Sequence, residues 1–298
     1  MRLQSLPFEA KVTLTNARIR QFYSLMNGKV YVSFSGGKDS TVLLDMVRAV
    51  FPETPAVFDD TGLEFPEIKE FVRSKENVEV IRPEVNFKTV IETYGYPVIS
   101  KEVAKALDQV RRGCKGKVKH FDGTETGRYD YRRYSYLLDA PFKISPTCCD
   151  IMKKRPFKKY GKKTGRRPFI GMLAEESTLR TTQWQLHGCI NSTPGIESAN
   201  PLSFWHESDI WAYIKRHNLE LAKPYAMGYE RTGCVFCMFG AQCEGYPNRF
   251  QRLQRTHPKL YDYCMSERGL NMRPVCEFIH IESADMNARL EDFAEVGA

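Results

Sequence analysis

Lys29–Val50 reads KVYVSFSGGKDSTVLLDMVRAV. Its first six residues, Lys29–Phe34, form a short β-prone run. Val42, Leu43, Met46, Val47 and Val50 then recur at helical spacing. Between the two lies Ser35-Gly36-Gly37-Lys38-Asp39-Ser40. A strand feeding a glycine turn at a helix N-terminus aims several backbone N–H groups at one point, and the helix dipole adds positive potential there. Glycines let the backbone approach an anion closely. Lys38 adds a mobile charge, and the Ser35 and Ser40 hydroxyls add donors. Such a loop is built for phosphate or sulfate. It is neither a Walker A loop, which needs GxxxxGK[ST], nor a dinucleotide GxGxxG.

Outward from this loop the chain alternates. Ala56–Phe58 reads as a strand, Phe65–Lys75 as a helix with Pro66 near its start, and Val78–Ile81 as a strand. Lys101–Arg112 reads as an amphipathic helix, Pro168–Leu173 as a late strand, and Glu207–His217 as a helix with Ile210, Trp211 and Ile214 on one face. Strands separated by helices predict an α/β fold with a parallel sheet. The polar, Gly-rich stretch Gly113–Tyr136 reads as a long loop. After Pro224 the pattern turns irregular and cysteine-bearing, which sets an expected boundary near residue 222, with a nucleotide-binding domain over 1–222 and a cysteine-containing region over 223–298.

Composition agrees with a globular chain. Of 298 residues, 42% are hydrophobic and 27% charged, enough apolar material for a core, which excludes a disordered chain. No apolar run approaches the roughly 20 residues of a membrane helix, and the first twenty residues show no apolar signal region, so a cytoplasmic location with no membrane partner is expected. Net charge is +8, but residues 101–167 hold 20 Lys and Arg against 7 Asp and Glu. A middle third this basic suggests contact with phosphates, a nucleotide's or a nucleic acid's. Tyr129, Tyr131, Tyr134 and Tyr136 interleave there with Arg128, Arg132 and Arg133, a composition that could stack bases while neutralising phosphate, although ordinary packing explains tyrosines equally well. Nine cysteines in a reducing compartment point to metal or redox work rather than a disulfide scaffold.

SGGxDS identifies the loop as that of the PP-loop ATP pyrophosphatase superfamily, with an adenine nucleotide alpha hydrolase-like (Rossmann-like) sheet. Five specified residues make a chance match about one in a million per position. Further segments resemble the phosphoadenosine-phosphosulfate reductase branch. Phe58-Asp59-Asp60-Thr61-Gly62-Leu63-Glu64-Phe65-Pro66-Glu67 looks like its DTG…PE segment, which lies beside the nucleotide. Gly171-x-x-x-x-Glu176-Ser177-x-x-Arg180 resembles a second anion-contacting segment. Pro201-Leu202-x-x-Trp205…Asp209-Ile210-Trp211-x-Tyr213-Ile214 and Tyr225-x-x-Gly228-Tyr229-x-x-x-Gly233-Cys234-x-x-Cys237 follow in the expected order. Cys148-Cys149-x-x-x-Lys153-Lys154-x-Pro156 resembles the CC segment of the iron–sulfur adenylylsulfate reductases. The segment from Asn248 to Cys264 is similar to members found in gut bacteria and their phages.

The resemblance implies roles. Ser35–Ser40, Asp60, Thr61, Gly62, Gly171, Glu176 and Ser177 would bind nucleotide, with Lys38, Asp39 and Arg180 at the chemistry and Mg²⁺ on Asp39 or Asp60. Cys148, Cys149, Cys234 and Cys237, with 84 residues between Cys149 and Cys234, would hold a [4Fe–4S] cluster; zinc is the alternative, drawing on Cys243, His257 or Cys264. Cys114, Cys189 and Cys276 are expected to pack, as are Trp184, Trp205 and Trp211, and no catalytic role is expected for His187, His206 or His217. Sulfonucleotide reductases attack with a cysteine in an ECGxH-type tail; no cysteine follows Cys276 here, and residues 275–298 carry six acids against one Arg. The leading expectation is therefore an ATP-dependent enzyme that adenylates a substrate, DNA or RNA among the candidates, for sulfur transfer from a cysteine desulfurase or other donor. DNA-backbone sulfur-modification enzymes are the nearest functional analogues. A reductase of adenylylsulfate or its 3′-phosphorylated form is the alternative, and a non-catalytic nucleotide- or cluster-binding partner of a desulfurase the outsider.

Overall fold

The computed structural model describes residues 3–284. In chain order the elements begin α1 (Phe8–Leu25), β1 (Val30–Ser33), α2 (Lys38–Val50), β2 (Ala56–Asp59), α3 (Pro66–Arg73), β3 (Val78–Ile81), α4 (Phe87–Tyr94), β4 (Val98–Ile99) and α5 (Lys101–Arg111). They continue α6 (Arg155–Thr164), β5 (Arg167–Ile170), α7 (Thr178–His187), β6 (Ile190–Asn191), β7 (Ser198–Ala199), α8 (Glu207–His217), β8 (Met238–Phe239), α9 (Arg249–Thr256), α10 (Pro258–Met265) and α11 (Arg273–Phe278). The chain divides into two compact units. The first takes the residues up to Asp60, Glu64–Pro83 and Arg155–Gly233; the second takes Thr61–Leu63, Glu84–Lys154 and the residues from Cys234 onward.

The first unit is an α/β sheet in the order β3-β2-β1-β5-β7-β6, parallel except for β6. Strand β1 is its centre: Val32 is in register with Ala56 on one side and Phe169 on the other. Strand β2 is buried throughout, as a strand covered on both faces must be. Order reverses between β1 and β5, and such a switch point leaves a crevice at the strands' carboxyl ends. The Ser35–Ser40 loop leaves β1 at that end. Helix α1 covers the sheet with a stripe of Lys11, Thr15, Ile19 and Phe22, all buried. Phe22 meets Phe169 edge-on at 5.1 Å, and the fully buried Trp205 donates its indole N–H to Thr15 Oγ1 at 2.8 Å. Lys11 Nζ pairs with Asp209 2.6 Å away in the same buried layer. Trp211, expected to pack, is 41% exposed; Tyr213 takes the buried position beside Ile210 and Ile214 instead.

In the second unit β4 pairs in parallel with β8, Val98 against Met238 and Ile99 against Phe239. Several expectations are corrected here. The Gly113–Tyr136 stretch contains 3₁₀ turns at Lys115–His120, Gly127–Tyr129 and, running on, Arg132–Asp139. Beyond Pro224 the chain is irregular around the cysteines up to Asn248, apart from β8 and a short 3₁₀ turn at Ala241–Cys243, and only then builds α9, α10 and α11. Asn248 Oδ1 accepts from the Phe250 and Gln251 N–H groups, Gln251 returns a bond to the Asn248 N–H, and Pro258 opens α10 at its first turn. At eight, eight and six residues these helices are too short to show periodicity. The division into units also differs from a single boundary near 222: residues 84–154 join the C-terminal segment through the β4–β8 pair. Strand β5 ends at Ile170, three residues short of the expected Leu173. No helix among the described residues is long and apolar enough to cross a membrane. The acidic residues 285–298 lie outside the described residues.

Gly36 has φ +73°, and a Cβ there would stand 2.9 Å from Ile68 Cγ2 of α3. Gly165 has a similar φ of +70° with nothing within 4 Å. Alanine at either site pays about 1–2 kcal/mol for the left-handed backbone. Gly36→Ala pays for displacing α3 as well and should melt at a lower temperature than Gly165→Ala in a thermal scan; equal melting temperatures would contradict the close packing of α3 on the loop.

Candidate functional site

The first unit presents the loop as a turn held open by its own hydroxyls. Ser40 Oγ donates to the Gly37 carbonyl at 2.9 Å and accepts from the Ser35 N–H at 3.2 Å. Ser35 Oγ lies 3.1 Å from Ser40 Oγ and accepts from the Gly37 N–H. Thr41 Oγ1 also donates to the Gly37 carbonyl at 3.0 Å. The Lys38 N–H, first of α2, donates to the Tyr225 hydroxyl at 2.7 Å, and Thr232 Oγ1 stands 3.4 Å from that hydroxyl. A Cβ on Gly37 would sit 3.0 Å from Thr232 Oγ1, so the glycine brings the backbone against these two side chains. Gly171, just past β5, packs on the other flank: its Cβ would meet the Asp39 carbonyl at 3.0 Å and the Ser40 nitrogen at 3.1 Å.

The charges around the loop compensate one another. Lys38, 6% exposed, lies 3.4 Å from Asp39 Oδ2 and 3.1 Å from Glu207 Oε1. Burial works against its charge, yet Asp39 and Glu207 prevail and raise its pKa, so the ammonium is charged at neutral pH. Burial raises the Asp39 carboxyl, against the pull of Lys38. Asp39 Oδ1 is buried without a hydrogen-bond partner among the described residues. Arg180 pairs with Glu176, and Arg231 joins the same carboxylate at 3.3 Å. Burial and then Arg231 lower the Arg180 guanidinium, while Asp39 supports its charge. Glu175 takes His206 Nδ1 at 2.5 Å and the Glu207 N–H at 2.6 Å, which fixes the start of α8 beside Lys38.

The remaining nucleotide candidates divide. Ser177 caps α7, its hydroxyl accepting from the Arg180 N–H at 3.3 Å, and so positions the arginine. Asp60 pairs with Lys69 at 2.6 Å and Arg82 at 3.1 Å. Although burial opposes ionisation, these two cations hold its carboxyl below the usual range. Thr61 and Gly62 belong to the second unit, where Thr61 Oγ1 accepts from the Leu63 N–H and Gly62 supplies a φ of +78°.

That unit gathers the four cysteines of the CC and CxxC segments. Cys148, Cys149, Cys234 and Cys237 line one cavity with Leu63, Phe87 and Met152 as apolar walls and Lys153 as its cation. The Val235 N–H donates to Leu63 O, and Arg249 donates to Cys237 O at 2.7 Å while pairing with Glu244, so the CxxC turn is tied at both ends. Cys148 Sγ donates to Cys149 Sγ at 3.9 Å. That bond lowers the Cys149 thiol to about 6, with Lys101 and Lys153 assisting. The same bond, burial and the other thiols push Cys148 up. Around a single zinc, with bonds near 2.3 Å, tetrahedral geometry sets sulfurs about 3.8 Å apart. The adjacent pair is at that spacing, but no three of the described His, Cys, Asp and Glu side chains close around one ion. Cys264 and Cys276 are fully buried, with thiols pushed up by burial, Cys276 to about 12; Cys243 is exposed.

The tyrosines of the basic segment split between roles. Tyr129 is half exposed beside Arg128, and Tyr134 lies under the Arg133 guanidinium at 4.6 Å. Tyr131 is buried against Phe121 and His120, and Tyr136 packs on Phe278. Glu207, Arg231 and Thr232 were invisible to motif reading. Glu207 lies 169 positions from Lys38, and Arg231 and Thr232 fall on unspecified positions before Gly233-Cys234.

Similarity to known proteins converges on one family. The model of the phosphoadenosine phosphosulfate reductase domain matches residues 29–115 and 100–239. Two uncharacterized proteins of Methanocaldococcus jannaschii are 25% and 27% identical over 82% of this chain; the matches cover 49% and 42% of their lengths, so the chain spans about half of these relatives. Adenosine 5'-phosphosulfate reductase 2 of Bacillus subtilis is 26% identical over 72% of this chain and 75% of its own. With a family model covering more than half its length, including the loop and both cysteine segments, the chain belongs to the phosphoadenosine phosphosulfate reductase domain family.

Proposed function

We propose that the chain is an ATP-dependent adenylating enzyme that activates an acceptor for sulfur transfer. The observation that carries this reading is the charge balance of the loop: Lys38, Arg180 and Arg231 face Asp39, Glu176 and Glu207. Each of these cations is already matched by a carboxylate, so an incoming anion must either displace those carboxylates or bring a cation for them. A magnesium-complexed triphosphate brings its own cation, for which the unpartnered Asp39 Oδ1 is a fitting hard oxygen ligand. Phosphate oxygens would then take over Lys38, Arg180 and Arg231 from their carboxylates.

In the reaction, an acceptor oxygen forms a bond to the α-phosphorus while the bond to the bridging oxygen of the leaving pyrophosphate breaks. Lys38 would stabilise the charge that develops on the departing pyrophosphate. The terminal sulfur of a persulfide donor would then attack the activated acceptor carbon and displace AMP, and a second thiol would cleave the resulting acceptor–donor disulfide, itself becoming oxidised to a disulfide with the donor. A reductase would instead need a thiolate nucleophile, and Cys264 and Cys276 are closed to that role by burial. The B. subtilis reductase keeps adenylylsulfate reduction as the second reading, with the exposed Cys243 as its candidate nucleophile.

Cys148, Cys149, Cys234 and Cys237 fit an iron–sulfur cluster better than a single ion, because an all-thiol donor set lines one apolar cavity yet no three of them converge on one centre. A cluster held there would supply a redox or sulfur-binding centre.

Anaerobically purified protein given Mg-ATP should release pyrophosphate, with release rising when DNA or RNA is added. Lys38→Ala should lower it about 10²–10³-fold, the usual cost of a removed transition-state donor. No Lys38-dependent release with any acceptor, together with Cys243-dependent sulfite formation from adenylylsulfate, would establish the reductase instead. Metal analysis of the same preparation should find iron and acid-labile sulfide, about four of each per chain. Cys148→Ser or Cys234→Ser should lose both, whereas one zinc per chain and no sulfide would overturn the cluster.

A further inference from the structure

The Asp60 carboxylate of the DTG segment is already paired twice, through Oδ1 with Lys69 and through Oδ2 with Arg82. These three residues line a cavity of about 350 Å³ in the first unit, between α3 and the carboxyl ends of β2 and β3. Sequence periods place them there. On the strands, Phe58 is in register with Val80, and Asp60 and Arg82 lie two residues further on, so the four share one face of the sheet. On α3, Lys69, Val72 and Arg73 fall at i, i+3 and i+4 and form the facing wall. Glu79 belongs to the opposite face, where the Tyr160 hydroxyl and Arg166 take its carboxylate.

The lining therefore carries three cations and one carboxylate. Asp60 orients two of the cations but neutralises only one charge. Arg82 reaches it through Nε and Nη2, which leaves the Nη1 donors, and the Lys69 ammonium keeps donors beyond the one spent on Oδ1. Arg73 makes no ion pair among the described residues. The Arg82 side chain is 72% exposed and that of Lys69 26%, so both stay open to an incoming ligand. A residual charge of two calls for a dianion. One ammonium and two guanidinium forks suit the several oxygens of a phosphate better than the two of a carboxylate. Phe58, Val72 and Val80 supply an apolar side, and the volume is that of a small-molecule pocket. A Cβ on Gly36 would lie 3.2 Å from Val72 Cγ2, so α3 borders both this cavity and the phosphate loop.

We propose that this cavity is a second anion site, which takes a phosphate dianion, free or as the monoester of a larger molecule, on Lys69, Arg73 and Arg82, with Asp60 holding two of these cations in place. The inference needs nothing from the adenylation reading. Binding of inorganic phosphate and of phenyl phosphate is measured by calorimetry in magnesium-free buffer, in the Lys38→Ala protein, where the loop has lost its cation. Phosphate in one of these forms should bind, more weakly as salt is raised. Arg73→Gln removes a guanidinium without stranding a carboxylate, and it should weaken binding about tenfold, the low end for a hydrogen bond to a charged group. Lys75→Gln removes a cation that lies over the Phe71 ring outside the cavity, and it should change binding by less than about twofold. Tighter binding of phenyl phosphate than of inorganic phosphate, with the advantage lost in Val80→Asp, would place an organic group on the apolar side; equal or weaker binding would assign the cavity to the free anion. Mg-ATP affinity of the otherwise unaltered chain should hold in Arg73→Gln. A loss there as large as that for phosphate would make the cavity part of the loop's nucleotide site and overturn a separate one. Neither probe bound, or binding that falls as far in Lys75→Gln as in Arg73→Gln, would overturn the assignment, whatever pyrophosphate release shows.

Discussion

The close approach of Gly171 to the first turn of α2 is the contact on which the site depends. Strand β1 is paired on both sides, so its exit at Ser33 is fixed by two registers at once. Strand β5 ends at Ile170, and the next residue has no side chain to keep it from the Asp39 and Ser40 backbone. A methyl group there would push α2 off the strand end by several tenths of an ångström, and the loop hydroxyls bond over distances that tolerate little displacement. Glycine at this position lets the end of β5 and the loop meet backbone to backbone. The polar chemistry is thus set by a steric condition at one backbone position.

The charge cluster follows from burial. A lysine 6% exposed cannot stand alone without losing its proton or its fold, so the chain surrounds it with acids from its own helix and from α8. Glu207 is held in reach by Glu175, and Arg180 is held by Glu176 and by the Ser177 cap. Every cation is thereby pre-placed with a carboxylate.

Much of this was legible in the sequence because it is local. The SGGKDS loop is contiguous, its strand and helix have clear periods, and the order of strands and helices announces a parallel sheet. Helix α1 escaped because its buried stripe is Lys11, Thr15, Ile19 and Phe22: half of it is polar, and its partners Asp209 and Trp205 lie about two hundred residues away. The helices after Pro224 escaped because two turns carry too little pattern. The four cysteines were found by their resemblance to a known segment, but spacing says nothing of their spread in space. Glu207 and Arg231 had no signal at all, since a single charged residue acquires meaning only when folding brings it to Lys38 or Glu176.

The chain crosses between its two units at Asp60–Thr61, at Lys154–Arg155 and at Gly233–Cys234, among other places. Each of these crossings falls inside a segment that the sequence marks as functional: DTG, the CC segment with its trailing Lys and Pro, and the GC of the CxxC turn. A segment that begins in one unit and ends in the other has both ends positioned by different cores.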